Sequence, residues 1–446
     1  MSKINDNFIF FGCWNQGQCD INDPQLNGLS NVMSNLTINA QKNGSPKFYV
    51  IAGDNYYPQK NKDKTKDKIF NEEQLNSGFK CLETLYYISN KLSQIYILMG
   101  NHDLQYENNL VNTQDEKIND HCIILQSELK YKDLFNFNKR HVKFNNTLLL
   151  FTTSILFTDD FLPDLKKKDK KEKKKDKDET LKGGSPELDC IDIFQNETLK
   201  EIHLKSNKSK EITLSDIKWE YEDFNQLVKN EIDHLLKLAT VYSNDKEIKN
   251  IAICGHDPIV SIKNKDGQKK GTMLNNIGIN LFNEIYNKFS NANKFYLCAD
   301  IHHFQQCQII LGDHLVEQFV VGTGGTACDD MCIDEKDLPF VYNFPDELED
   351  EANFILENKA PDLIKKYTLI NCIYKQGYLI GQQNSEGIFD PKFEPTYDCF
   401  SKPNFNLSDV KKEEKSKGGS KKRKKSKKHK KTKKHKKTKK KKHKKN

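Results

Sequence analysis

The chain has 446 residues with 30% charged and 36% hydrophobic side chains, enough to bury at least one large core, and a formal net charge of +8. That charge is unevenly placed: residues 411 to 446 hold 23 Lys and Arg against two acidic residues, leaving 48 basic against 61 acidic residues, or −13, on the rest. A segment with +21 and almost no apolar side chains cannot offset the entropy of ordering, which excludes it from any packed core and predicts a disordered tail over 401 to 446 beside a single domain over 1 to 400.

In chain order, short apolar runs predict buried strands at FIFFG (8 to 12), FYVIAG (48 to 53), IYILMG (95 to 100), TLLLFTT (147 to 153), IAICG (251 to 255), FYLCA (295 to 299) and FVVG (319 to 322). Helical spacing lies between them, at Glu72 to Leu92 and at Tyr221 to Val241, where Phe224, Leu227, Ile232, Leu235 and Leu236 share a face. Strands alternating with helices imply a layered α/β domain whose functional groups sit at the carboxyl ends of the strands. Two Lys/Asp runs, at 60 to 68 and 166 to 184, read as solvated insertions. The N-terminal apolar run is too short for a signal peptide, and no window reaches the roughly 18 apolar residues of a membrane span. A soluble intracellular protein, cytoplasmic or nuclear, is expected. The twelve cysteines form no CxxC pair, and several lie inside apolar runs, so they read as reduced thiols. Cys328 and Cys332 read as loop residues, Trp14 and Trp219 as packing residues.

Four polar clusters follow strand patterns: GDNYY (53 to 57), GNHD (100 to 103), GHDP (255 to 258) and DIHH (300 to 303). Carboxylates, amides and imidazoles on turns after buried strands can converge above a sheet edge, the layout of a two-metal site. Two cations about 3.5 to 4 Å apart need a bridging carboxylate and terminal donors on each ion, and Asp54 is the natural bridge.

The order and spacing of these clusters resembles the purple acid phosphatase branch of the calcineurin-like metallophosphoesterases, over roughly residues 7 to 325. Tyr57, three residues after Asp54, matches the tyrosine that marks this branch. The resemblance implies a four-layer αββα sandwich with two mixed sheets. It implies a dinuclear centre of iron paired with iron, zinc or manganese, hydrolysing phosphomonoesters through a metal-bridging hydroxide. It assigns Asp54 as bridge, Tyr57 and His302 to one ion, Asn101 and His256 to the other, His102 as proton donor beside the phosphate, and Asp103 as the partner orienting His102. His303 is not assigned as a ligand.

Two positions depart from the pattern. Cys13, in GCWN, stands where the family has its opening aspartate, and Asp300 stands where it has a first histidine. Cys13 is either a thiolate ligand or a buried thiol, and Asp300 either a ligand or a loop carboxylate. If both ligate, a fourth anionic ligand raises the pKa of the bridging water, predicting slower turnover or a higher pH optimum. The same substitutions keep a non-catalytic binding relative open. The basic tail keeps open a phosphodiesterase or nuclease, or a polyanion-binding factor. Its charge predicts salt-dependent, sequence-neutral association with nucleic acid or another anionic surface, without base stacking, since it has no aromatic residue. KKRKK within it also resembles a nuclear-import signal.

Overall fold

The computed structural model describes residues 3–60, 68–104, 110–111, 114, 117, 123–154, 226–265, 268–330, 333–344, 354–356 and 362–398. The insertion at 166 to 184, Trp219, Cys332 and the 401 to 446 tail lie outside the described residues, as do 61 to 67 of the first Lys/Asp run.

Each expected apolar run forms a strand. A five-stranded sheet is ordered β19, β18, β1, β2, β5, from β1 (Ile4–Phe11), β2 (Ser45–Ala52), β5 (Gln94–Leu98), β18 (Lys375–Gly381) and β19 (Lys392–Asp398). β1, β2 and β5 run parallel, and β18 and β19 are antiparallel to their neighbours. An eight-stranded sheet comprises β7 (His141–Phe144), β8 (Thr147–Phe151), β9 (Asn250–Cys254), β12 (Asn293–Cys298), β13 (Phe304–Leu311), β14 (His314–Val321), β15 (Phe340–Asn343) and β17 (Ile364–Ile373). Its parallel centre is β8, β9, β12 and β14. Two small sheets join β3 (Gln59–Lys60), β4 (Lys68–Ile69) and β6 (Leu110–Val111), and β10 (Val260–Lys265), β11 (Gln268–Met273) and β16 (Phe354–Leu356).

The large sheets pack face to face through aromatic side chains. Phe8 and Phe48 meet Phe144 edge-on, and Tyr96 meets Phe151. Burying the parallel strands on both faces is what makes their sequences continuous apolar runs rather than alternating ones. Helix α1 (Gly28–Asn43) covers the outer face of the smaller sheet with α2 (Glu72–Ile88) beside it. Helices α5 (Gln226–Ser243) and α6 (Asn276–Lys288) cover the other: Tyr286 donates to Phe295 O, and Glu231 pairs with the buried Arg140. The αββα sandwich with two mixed sheets is thus the observed architecture. Asn27, Asn71 and Asn275 cap α1, α2 and α6, each accepting an amide of the first turn.

Two expectations are corrected. Helix α2 ends at Ile88 rather than Leu92, because Asn90 and Lys91 adopt left-handed φ values of 54° and 65°. The cysteines are not all reduced: Cys19 and Cys81 form a disulfide and Cys328 is disulfide-bonded, whereas Cys13, Cys254, Cys298, Cys307 and Cys372 are buried thiols. Cys19 and Cys81 lie on loop and helix segments without the close sequence spacing that would have marked them as partners. Among the described residues no helix is long and apolar enough to cross a membrane.

Candidate metal centre

The polar clusters occupy loops at the carboxyl ends of β1, β2, β5, β9 and β12, so both sheets deliver them to one seam. Close packing at that seam depends on glycine. A Cβ on Gly12 would lie 2.6 Å from Ala299 Cβ, and one on Gly324, after β14, would lie 2.7 Å from both Phe11 and Trp14. Backbone bonds then lock the loops together: Gly12 donates to Val321 O, Cys13 to Gly53 O and Gly324 to Gly12 O, each at 3.0 Å.

Three of the six described non-glycine residues with positive φ are candidate ligands, Cys13 at 50°, Asp54 at 52° and Asp300 at 57°. Left-handed backbone costs such residues of order 1 to 3 kcal/mol each and persists where surrounding structure imposes it, as at functional sites. Here it turns each side chain across the end of its strand.

Cys13, Asp54 and His256 come together, their ligand atoms all within 4.8 Å of one another. His256 Nδ1 donates to Ala52 O at 2.6 Å, which leaves the lone pair on Nε2, 3.3 Å from Asp54 Oδ1. Nε2 is buried and makes no aligned hydrogen bond. His302 is oriented the same way: Nδ1 donates to Ala327 O at 2.9 Å, its amide donates to Asp329 Oδ2, and Nε2 lies 3.3 Å from Tyr57 Oη. Tyr57 Oη donates to Asp54 Oδ2 at 2.6 Å, linking His302 to the trio. Asn101 opens the short helix α3 (Asn101–Leu104), and its Oδ1 is buried without a partner. His102 donates its amide to Asp54 Oδ1 at 3.0 Å, and its ring lies 4.9 Å from that of Tyr57 with a buried, unpartnered Nδ1. Asp300 does not join the trio; its backbone amide lies beside the Cys13 sulfur. His303 is wholly buried, its ring tilted against that of Tyr374 and in contact with Gln305 through Nε2.

The charges here are out of balance without a cation. Burial works against ionising Asp54, but His256, His102 and Tyr57 outweigh it and hold the carboxyl below its usual range. Burial likewise disfavours an imidazolium at His256, yet Asp54, Asp257 and Asp300 raise its pKa well above 6.5. Burial, followed by Asp54, pushes up both the Cys13 thiol and the Tyr57 phenol. Buried donor atoms on His256 and Asn101 that make no aligned hydrogen bond, converging imidazole lone pairs and an excess of acids fit a bound cation.

Asp103 does not orient His102. It accepts from Asn55 N at 2.7 Å, Asn55 Nδ2 at 2.9 Å and Gly100 N at 2.8 Å, clamping the Asp54 loop to the Asn101 loop. Asn55 Oδ1 in turn accepts from Trp14 Nε1 at 3.0 Å, so Trp14 ties in the Cys13 loop as well as packing on Phe79. Glu128 of α4 (Ile123–Leu129) is wholly buried beside this chain, and burial followed by Asp103 raises its pKa well above 4.5. Asp257 accepts from Ser154 Oγ at 2.7 Å. Asn55 and Asp257 sit inside GDNYY and GHDP, the signal that could have marked them; Glu128 has none.

No protein-family model matches the sequence, and no curated protein matches it. Several solved structures are similar, three of them as follows. GAP50, the anchor in the inner membrane complex of Plasmodium, is 9% identical with a TM-score of 0.39, covering 87% of this chain and 84% of its own. Purple acid phosphatase PPD1 from yellow lupin (Lupinus luteus) is 8% identical with a TM-score of 0.40, covering 87% of this chain but 53% of its own, so this chain spans about half that enzyme's length. PhoD is 10% identical with a TM-score of 0.40, covering 88% of this chain and 68% of its own. At these values the likeness adds nothing to what the residues at the strand ends carry.

Proposed function

We propose that the chain is a metal-dependent phosphoesterase acting on phosphomonoesters at a dinuclear centre in this seam. The observation that carries the reading is the convergence of Cys13, Asp54 and His256, with Tyr57 and His302 adjoining, at the ends of strands from both sheets. Asp54 is the candidate bridge, His256 and Asn101 the donors of one ion, Tyr57 and His302 those of the other. The ions would supply neutralisation of phosphate oxygens and activation of a water. The chain's own contribution is positioning: backbone bonds to Ala52 and Ala327 hold the imidazoles, and Asp103 holds two ligand loops in register. His102, its amide fixed on Asp54, carries an unpaired ring nitrogen suited to giving the leaving group a proton.

The test is hydrolysis of mono-aryl against bis-aryl phosphate by purified protein. Preference for the monoester, with loss of at least about 100-fold in Asn101→Ala, is expected. A metal-loaded protein inactive on either ester overturns the enzyme reading and favours a binding scaffold; preference for the diester favours a phosphodiesterase. We further propose that the tail over 411 to 446 associates with polyanions by charge alone.

A further inference from the structure

The Cys13 side chain is wholly buried, yet its backbone sits at φ 50° and Gly322 approaches so closely that a Cβ there would lie 3.2 Å from the sulfur. A thiol that merely fills space requires neither, since a small apolar side chain in ordinary extended backbone packs as well. What the left-handed turn achieves is to bring Sγ within 4.8 Å of an Asp54 oxygen and a His256 nitrogen. A second observation points to the same spot. His256 Nε2 is fully buried, 3.3 Å from Asp54 Oδ1 without an aligned hydrogen bond, and the ring is fixed by its Nδ1 bond to Ala52 O.

We propose that Cys13, Asp54 and His256 form a thiophilic cation subsite that takes a zinc-class ion through the Cys13 thiolate. The inference rests on the metal-centre reading of the site and adds the kind of ion it selects. Sulfur, imidazole and carboxylate in one set favour zinc, cadmium or cobalt over magnesium, calcium or manganese. On binding, the Cys13 S–H bond breaks, the sulfur electron pair goes to the metal, and the proton passes to solvent.

The test is a cobalt(II) titration of the full chain after chelation, followed by zinc competition. The wild type is expected to develop a near-ultraviolet thiolate-to-cobalt charge-transfer band. Cys13→Ser should lose that band and bind zinc at least about tenfold more weakly, a loss that even partners outside the ligand set can cause. Cys13→Asp, which restores a carboxylate, should bind cobalt with visible absorption but no charge-transfer band, and it keeps the test decisive if the serine variant misfolds. Cobalt binding by the wild type without the band, or a band that survives in Cys13→Asp, overturns the thiolate while leaving the metal centre standing. A wild type that binds neither cobalt nor zinc overturns both.

Discussion

At the residue scale, Asp103 shows how a side chain can matter to the site without facing it. One carboxylate accepts three hydrogen bonds from two loops. Asp103→Asn offers one oxygen and an NH2 that opposes the amides of Asn55 or Gly100. It should cost about 2 to 4 kcal/mol in urea denaturation and reduce bound metal; an unchanged unfolding midpoint would show that the clamp carries no stability. The ligand types were readable because each stands in a short word after an apolar run. The role of Asp103 was not, because adjacency in sequence suggested contact with His102. Neighbouring residues on a helical turn project apart, and α3 sends Asp103 under the loops while the His102 ring packs by Tyr57. The turn of Cys13 into the site was likewise invisible, since it depends on a backbone conformation and on Gly322 from a distant strand.

At the element scale, stability rests on the seam, a disulfide and a buried helix face. Gly324→Ala would drive a methyl into Phe11, Trp14 and Gly12 O, and should destabilise the fold by about 1 to 3 kcal/mol and weaken metal binding together. The Cys19 to Cys81 bond spans 62 residues, from the loop after β1 to α2, so replacing both cysteines by serine should cost about 2 to 4 kcal/mol in thermal unfolding under oxidising conditions. In α5, burial, then Arg140, His141 and Lys237, lowers the His234 pKa to about 4. The folded state therefore binds fewer protons than the unfolded one, and this group's contribution is intact above about pH 6.5 and lost as pH falls towards 4. Because His234 is only partly buried, the loss is about 1 to 2 kcal/mol, and His234→Gln should flatten that part of the acid limb in melts recorded against pH. Strands buried on both faces were legible as apolar runs. β13 was not, since FQQCQIIL carries a buried glutamine, Gln305, whose amide bonds Ile262 O in place of an apolar contact.

At the scale of the whole molecule, residues 1 to 410 carry −13 and residues 411 to 446 carry +21, while the seam gathers buried acids that call for cations. Deleting 411 to 446 should abolish salt-sensitive retention on duplex DNA while leaving metal content unchanged; retention that persists would place polyanion binding elsewhere. Layered order and strand ends followed from the sequence because period and punctuation are local, whereas the cysteine pairing depends on which loops the sandwich brings together. The most direct test of the metal centre is anomalous diffraction from crystals of the natively purified protein at the zinc and iron edges. A peak within bonding distance of Asp54 and His256 Nε2 is the predicted result. Ordered water alone between those side chains, in crystals grown without chelator and with added zinc, would contradict it.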